Sequence, residues 1–363
     1  MEEKLLKKTA VFLAAVAAVV CVIVFYLPQF ADTTQQMITS FREYRLKTRA
    51  ERLNMTGLEL LAYNNEQEEK ENGKADFSSQ LRLELPLGVS GDALKVTEQY
   101  VDRIISIRIP YAGQDYVYQY PMLGKSDHIE RLDYQNGDGY GSVEFQMDSV
   151  YEVSTRYDED YFYVDFLTPQ EVYDKVVVID AGHGGEESGT AKQGILEKEI
   201  DLDIVLELKK IFDEAGDPSV GVYYTRTDDS NPDPEKRVEL ANMTHADVFI
   251  SVHNNSTQSG RMSSINGTQV LYDETKAEQQ PGTMGLAQIC LEEVTASTGS
   301  SNKGLVAGSE DTLIHSSEVP VALIEAGFMT NQTELENLCT EEYQVKVAQG
   351  IYQAVRRALA EGY

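Results

Sequence analysis

KVVVIDAGHGGEESGTAKQGILEKEIDLDIVLELKKIFDEAG, residues 175–216, decides the fold of this chain. KVVVID (175–180) is a continuous apolar run of the kind buried on both faces of a sheet. A glycine-rich stretch follows, and then the period lengthens to that of a helix. Ile200, Ile204, Val205, Leu208, Ile211 and Phe212 fall on one stripe, and Gly216 closes it. The alternation repeats downstream: VGVYYTR (220–226) reads as strand, 235–246 as helix, 247–256 and 267–272 as strands. Residues 284–298 read as helix, VPVALIEAGF (319–328) as strand and 343–359 as helix. Strands spaced by helices predict an α/β unit with a mostly parallel sheet flanked by helices.

In such sheets, sites form beyond the carboxyl ends of the strands. His183 follows VVVID, His253 ends VFISV and Glu325 ends VALI, each after a buried run. Glu197 lies at the entry to the first helix. Two imidazoles and a carboxylate suit a tetrahedral zinc whose fourth position is left for water. A second carboxylate is then needed to move protons. Each residue also has a plainer reading. AGHGG could cradle a phosphate, although no Lys-Ser/Thr follows it. His253 could be a satisfied core residue, Glu197 a charge favoured by a helix dipole, and Glu325 an ion-pair partner. Jointly the plain readings require four coincidences in one domain.

Working outward, 363 residues exceed what one core usually serves. The 60 acidic against 31 basic residues give a net charge of −29, a surface that repels phosphate backbones and excludes nucleic acid as a partner. Three cysteines, one inside the apolar N-terminal run, exclude a disulfide-stapled scaffold, and the absence of Cys-x-x-Cys excludes a thiolate zinc site. Residues 10–27 carry no charge and span about 27 Å as a helix. They predict a transmembrane signal anchor, with 1–9 as a cytoplasmic tail marked by Lys4, Lys7 and Lys8, and everything after the anchor on the wall side of a single-pass cell-membrane protein. Residues 28–80 are polar and read as a tether. Period-two alternation over 81–173, with NGDG (136–139) as a hairpin turn, predicts a small antiparallel β-domain without catalysis of its own. The α/β unit then occupies 174–363.

VVVIDAGHGG (176–185), GILEKEIDLDI (194–204), YYTRTDD (223–229), RVELANMTHADVFISVHNN (237–255) and VALIEAGFMTN (321–331) together resemble the zinc-dependent N-acetylmuramoyl-L-alanine amidases of the amidase_3 type. The resemblance covers about half of the chain. It implies zinc (Zn2+) as cofactor, held by His183, Glu197 and His253, with Glu325 as the catalytic carboxylate. The implied substrate is peptidoglycan, cut at the amide between N-acetylmuramic acid and L-alanine in wall remodelling or cell separation. By its architecture the β-region resembles the AMIN-like domains that accompany such amidases, a candidate wall-targeting module.

Asn255 and Asn331 are candidates to orient substrate or the groups behind the ligands. Arg226 and Arg237 are expected to pair with carboxylates inside the fold, and His315 to border the cleft. The family has a small residue where this chain has Asn254, a departure of slight expected effect. Some relatives plug the zinc with an inserted helix; DETKAEQQPG (273–282), where one is expected, is too short, so no protein activator is required. Two other functions fit the same residues: a zinc peptidase acting on the stem peptide, and a catalytically idle wall-binding protein.

Overall fold

The computed structural model describes residue 52 and residues 54–363, apart from 74–77, 111–115, 138, 278 and 280. The expected cytoplasmic tail, membrane anchor and first part of the tether lie outside the described residues. Among the described residues, no helix is long and apolar enough to cross a membrane.

Alternating side chains between 81 and 167 form strands β1 (Leu81–Glu84), β2 (Lys95–Gln99), β3 (Ile104–Ile109), β4 (Met122–Gly124), β5 (Ile129–Gly137), β6 (Tyr140–Met147), β7 (Glu152–Tyr157) and β8 (Tyr161–Leu167). They make two antiparallel four-stranded sheets, in the orders β4-β1-β8-β7 and β2-β3-β6-β5. Leu81, Leu83, Ile107, Phe145, Phe162 and Val164 face inward into one shared core. That is what period-two alternation produces when one face of each sheet is buried.

The tether is corrected over part of its length. Gly57–Asn72 form helix α1, started by a capping box in which Thr56 and Glu59 satisfy each other's backbone N–H groups. Leu60 and Leu61 are buried in the β core, worth about 1.5–3 kcal/mol each. Asn65 bonds both the N–H and the carbonyl of Gly124 at the edge strand β4, which blunts an otherwise open edge.

The second unit contains β9 (Lys175–Ala181), the two-stranded hairpin β10 (Ala191–Lys192) and β11 (Ile195–Leu196), β12 (Val220–Tyr224), β13 (Val248–Asn255), β14 (Thr268–Tyr272), β15 (Asn302–Ala307) and β16 (Val321–Phe328). Its helices longer than one turn are α2 (Glu197–Ala215), α3 (Pro234–Met243), α4 (Thr283–Thr298), α5 (Gln332–Leu338) and α6 (Glu341–Ala360). The six-stranded sheet runs β12-β9-β13-β16-β14-β15. Its pairings are parallel except that between β14 and β16. Val177, Ile179, Val252 and Ile324 point to the face covered by α2, α4 and α6. Val176, Val178, Phe249 and Leu323 point to the other, under α3. Burial on both faces explains the continuous apolar runs.

The β-unit docks on this second face. Val150 joins the cluster of Val176, Val178 and Tyr223. The Tyr223 hydroxyl donates to Glu152 at 2.5 Å, and the ring of Tyr100 stands edge-on to that of Tyr223 at 4.9 Å.

Candidate active site

The turn after β9 puts His183 at φ 58°, a left-handed conformation costly for a residue with a Cβ. Two buried guanidinium groups hold it there. Arg237 donates to the carbonyls of Ala181 (2.6 Å) and His183 (2.7 Å), and Arg226 to those of Ala181 (2.9 Å) and Gly182 (2.6 Å). Arg237 also meets the expected carboxylate, Asp180, at 2.8 Å. Arg226 does not meet one: it spends its donors on carbonyls, including those of Lys198 and Asp228. Asp180 is fully buried and accepts from Thr225 and Ser251 as well. Burial raises its carboxyl, but Arg237, His253 and the two hydroxyls outweigh that and keep it below the usual range.

Two glycines make room for the site. A Cβ on Gly182 would lie 2.3 Å from the His253 ring, and one on Gly189 would lie 2.6 Å from the ring of His183 and 2.7 Å from Glu197. No side chain fits either position.

Glu197 opens α2 directly after the β10–β11 hairpin. Its Oε2 accepts from the N–H of Thr190 at 2.7 Å and its Oε1 from the N–H of Asn254 at 3.1 Å. The same Oε1 lies 3.1 Å from His183 Nε2 and 3.3 Å from His253 Nδ1. Burial pushes this carboxyl up, yet the hydrogen bonds and charges of the two histidines carry it well below the ordinary range. His253 behaves reciprocally. Burial lowers it, but Glu197, Asp201 and Glu325 together raise it to about 10. The surroundings of the His253 imidazole therefore favour positive charge.

That is the electrostatic demand a cation meets. Donor atoms bound about 2.0–2.1 Å from a tetrahedral ion stand roughly 3.3 Å apart, so the observed separations fit zinc and its preferred N/O donors. The imidazole rings cross edge-on with centroids 4.8 Å apart. His183, Glu197 and His253 are joined by Asp201, each offering a donor atom within 4.8 Å of the others.

Glu325 stands beside them. In the parallel register of β13 and β16 it is the partner of His253, and on its other side it pairs with Gln269 of β14. The register shifts just beyond, between His253 and Asn255. Glu325 Oε2 is buried without a hydrogen-bond partner. Burial lifts its carboxyl to about 7 against the pull of His253, with Glu197 and Asp311 adding to the rise.

The four candidate residues thus converge; several others do not. Asn331 caps α5 through the N–H of Glu334 and donates to the carbonyl of Ser263. Asn255 does stay near the site: two residues past His253 on β13, its amide donates to Gln269, the strand neighbour of Glu325. His315 is exposed at the end of a one-turn helix, and its carbonyl accepts from Lys276. The segment 273–282 is also placed differently from expectation. Because β14 runs antiparallel to β16, Tyr272 lies towards the pole opposite Glu325. The segment that reaches the site end of the sheet is 256–267, between β13 and β14, and it contains no helix. Sequence reasoning missed Asp201 and gave Asn254 only a slight effect. Asp201 is fully buried and its carboxyl is held well above the usual range by burial. Asn254, 1% exposed, donates to it at 2.7 Å.

Comparison with known proteins bears on this geometry. Residues 177–357 match the Amidase_3 family model, described as N-acetylmuramoyl-L-alanine amidase. The uncharacterized protein YqiI of Bacillus subtilis is 33% identical over 181 residues, covering 50% of this chain and 83% of YqiI. The N-acetylmuramoyl-L-alanine amidase LytC of the same organism is 32% identical over 181 residues, 50% of this chain but only 35% of LytC. Among solved structures, the catalytic domain of CwlV, an N-acetylmuramoyl-L-alanine amidase from Bacillus (Paenibacillus) polymyxa var. colistinus, is 31% identical. That match covers 51% of this chain and 98% of CwlV's, with a TM-score of 0.46. By the family-model match and the likeness to YqiI, the chain belongs to the Amidase_3 family of N-acetylmuramoyl-L-alanine amidases.

Proposed function

We propose that the chain hydrolyses the amide between N-acetylmuramic acid and L-alanine in peptidoglycan, with zinc held by His183, Glu197 and His253. The observation that carries this reading is the convergence of the two imidazoles on Glu197 Oε1, with Glu325 in register beside His253. Zinc in such a site supplies Lewis-acid polarisation of a carbonyl and acidifies water near neutral pH. The protein's own residues do the remaining work. Glu325 accepts the proton of the attacking water and returns it to the departing amine. A carboxyl raised to about 7 is poised for both transfers. Arg226 and Arg237 keep the His183 loop in place, and Thr190 and Asn254 hold the Glu197 carboxylate against rotation.

The chain acts without an activating partner on this reading, since the segment at the site mouth, 256–267, carries no helix to withdraw. We further place the catalytic unit on the wall side of the cell membrane. The uncharged run 10–27 and the lysines before it support this; activity of an export-dependent reporter fused at the C-terminus checks it. The decisive experiment is mass analysis of fragments released from purified peptidoglycan by the purified chain alone. Lactyl-terminated glycan and peptides beginning with L-alanine are expected. Cleavage inside the stem would make the protein a peptidase, and no release by folded, zinc-loaded protein would make it a binding protein.

A further inference from the structure

We infer that Asn254 and Asp201 form a buried latch that positions His253 and Glu197 relative to each other and thereby sets the metal affinity of the site. The inference rests on the zinc reading above.

Asn254 makes two hydrogen bonds to α2. Its main-chain N–H donates to Glu197 Oε1 at 3.1 Å, and its side-chain amide donates to Asp201 Oδ1 at 2.7 Å. Asp201 stands one helical turn beyond Glu197 on α2, roughly 6 Å along the axis. Asn254 is bonded covalently to His253. The result is a closed frame. One side is the peptide link from His253 to Asn254, the opposite side is a rigid turn of helix from Glu197 to Asp201, and two hydrogen bonds join them. A frame of this kind fixes the angle at which the imidazole and the carboxylate face a common ion. Second-contact residues that orient metal ligands typically govern affinity 10–100-fold.

Burial makes the latch more than a surface convenience. Asp201 is fully buried and Asn254 1% exposed. Asp201 Oδ2 and Asn254 Oδ1 have no other hydrogen-bond partner, so breaking the one bond between these side chains strands further polar atoms out of water. Asp201 also lies within ligand distance of the cluster, which gives the inference its rival: Asp201 as a ligand in its own right.

Zinc dissociation constants, measured by chelator competition on the full chain, separate these readings. Asn254→Ala and Asp201→Ala are each expected to weaken zinc binding by about 10–100-fold. The double variant should be no weaker than the worse single by more than roughly threefold, because the same bond is lost once. Asp201→Asn keeps an oxygen that accepts from Asn254 and should stay within roughly threefold of the parent. Loss of zinc from Asp201→Asn to the extent seen in Asp201→Ala would make Asp201 a ligand and overturn the inference. So would a folded Asn254→Ala with the parent's affinity. If Asp201→Ala fails to fold, Asn254→Ala and Asp201→Asn decide alone. A parent that binds no zinc would remove the metal reading and the latch with it, whereas a tight-binding parent with an indifferent Asn254→Ala removes only the latch.

Discussion

His183 and His253 face the same carboxylate oxygen but are held by different means. His253 is part of β13, which is hydrogen-bonded to β9 on one side and β16 on the other. Its place is set as soon as the sheet forms. His183 lies past the last residue of β9 in a left-handed conformation. Nothing regular holds it, so two buried arginines must. A ligand on a strand inherits its position from the fold, and a ligand on a loop needs dedicated side chains.

The largest effect expected is loss of the loop ligand itself. His183→Ala should abolish hydrolysis and lose most bound zinc, read by elemental analysis; full zinc occupancy would take His183 out of the ligand set. Glu325→Gln tests the strand side, where shape is kept and only proton acceptance is lost. Its rate should fall roughly 10²–10⁴-fold with zinc retained, and near-normal turnover would remove its assigned role. Arg237→Met probes the support and spares the ligands. It leaves Asp180 buried without its cation, at a cost of about 3–5 kcal/mol in urea unfolding. Ser251→Ala, which removes one hydroxyl from the same carboxylate on the strand side, should cost about 1.5–3 kcal/mol. Equal losses in the two variants would erase the distinction between loop and strand. The smallest effect is that of pH. Glu325 serves as a base only when ionised, and burial has raised it to about 7, so the rate should rise with pH through that region. His253, Glu197 and Asp311 are the charged groups acting on Glu325, and zinc would draw the midpoint lower. The acid limb should vanish in Glu325→Gln; a limb unchanged there belongs to another group.

The four residues that the structure brings together were legible because each follows a clear pattern: His183, His253 and Glu325 stand at or just past strand ends, and Glu197 at a helix start. Asp201 was not, although a signal existed. Positions 201, 204, 205 and 208 share the buried stripe of α2, and a carboxylate on such a stripe needs a buried partner. That partner, Asn254, is 53 residues away in the chain, and no local pattern reports a contact of that range. Helix α1 was missed for a different reason. Its charged residues drowned the apolar pair Leu60–Leu61, while the Thr56-x-x-Glu59 cap that announces it was present. Asn331 qualified as a candidate by its hydrogen-bonding amide alone, although the Asn-x-x-Glu signature of a helix start was already present.

The reversed direction of β14 carries a practical consequence. It sends the chain leaving Tyr272 away from the catalytic groups, while 256–267 comes back to them. A fluorescent or affinity module spliced between Tyr272 and Thr283 would ride on the pole remote from the reacting amide, leaving the path to bulky wall polymer clear. The same module placed in 256–267 would sit where that polymer has to enter. The fold thus has a permissive port for tagging and a forbidden one, separated by a single five-residue strand.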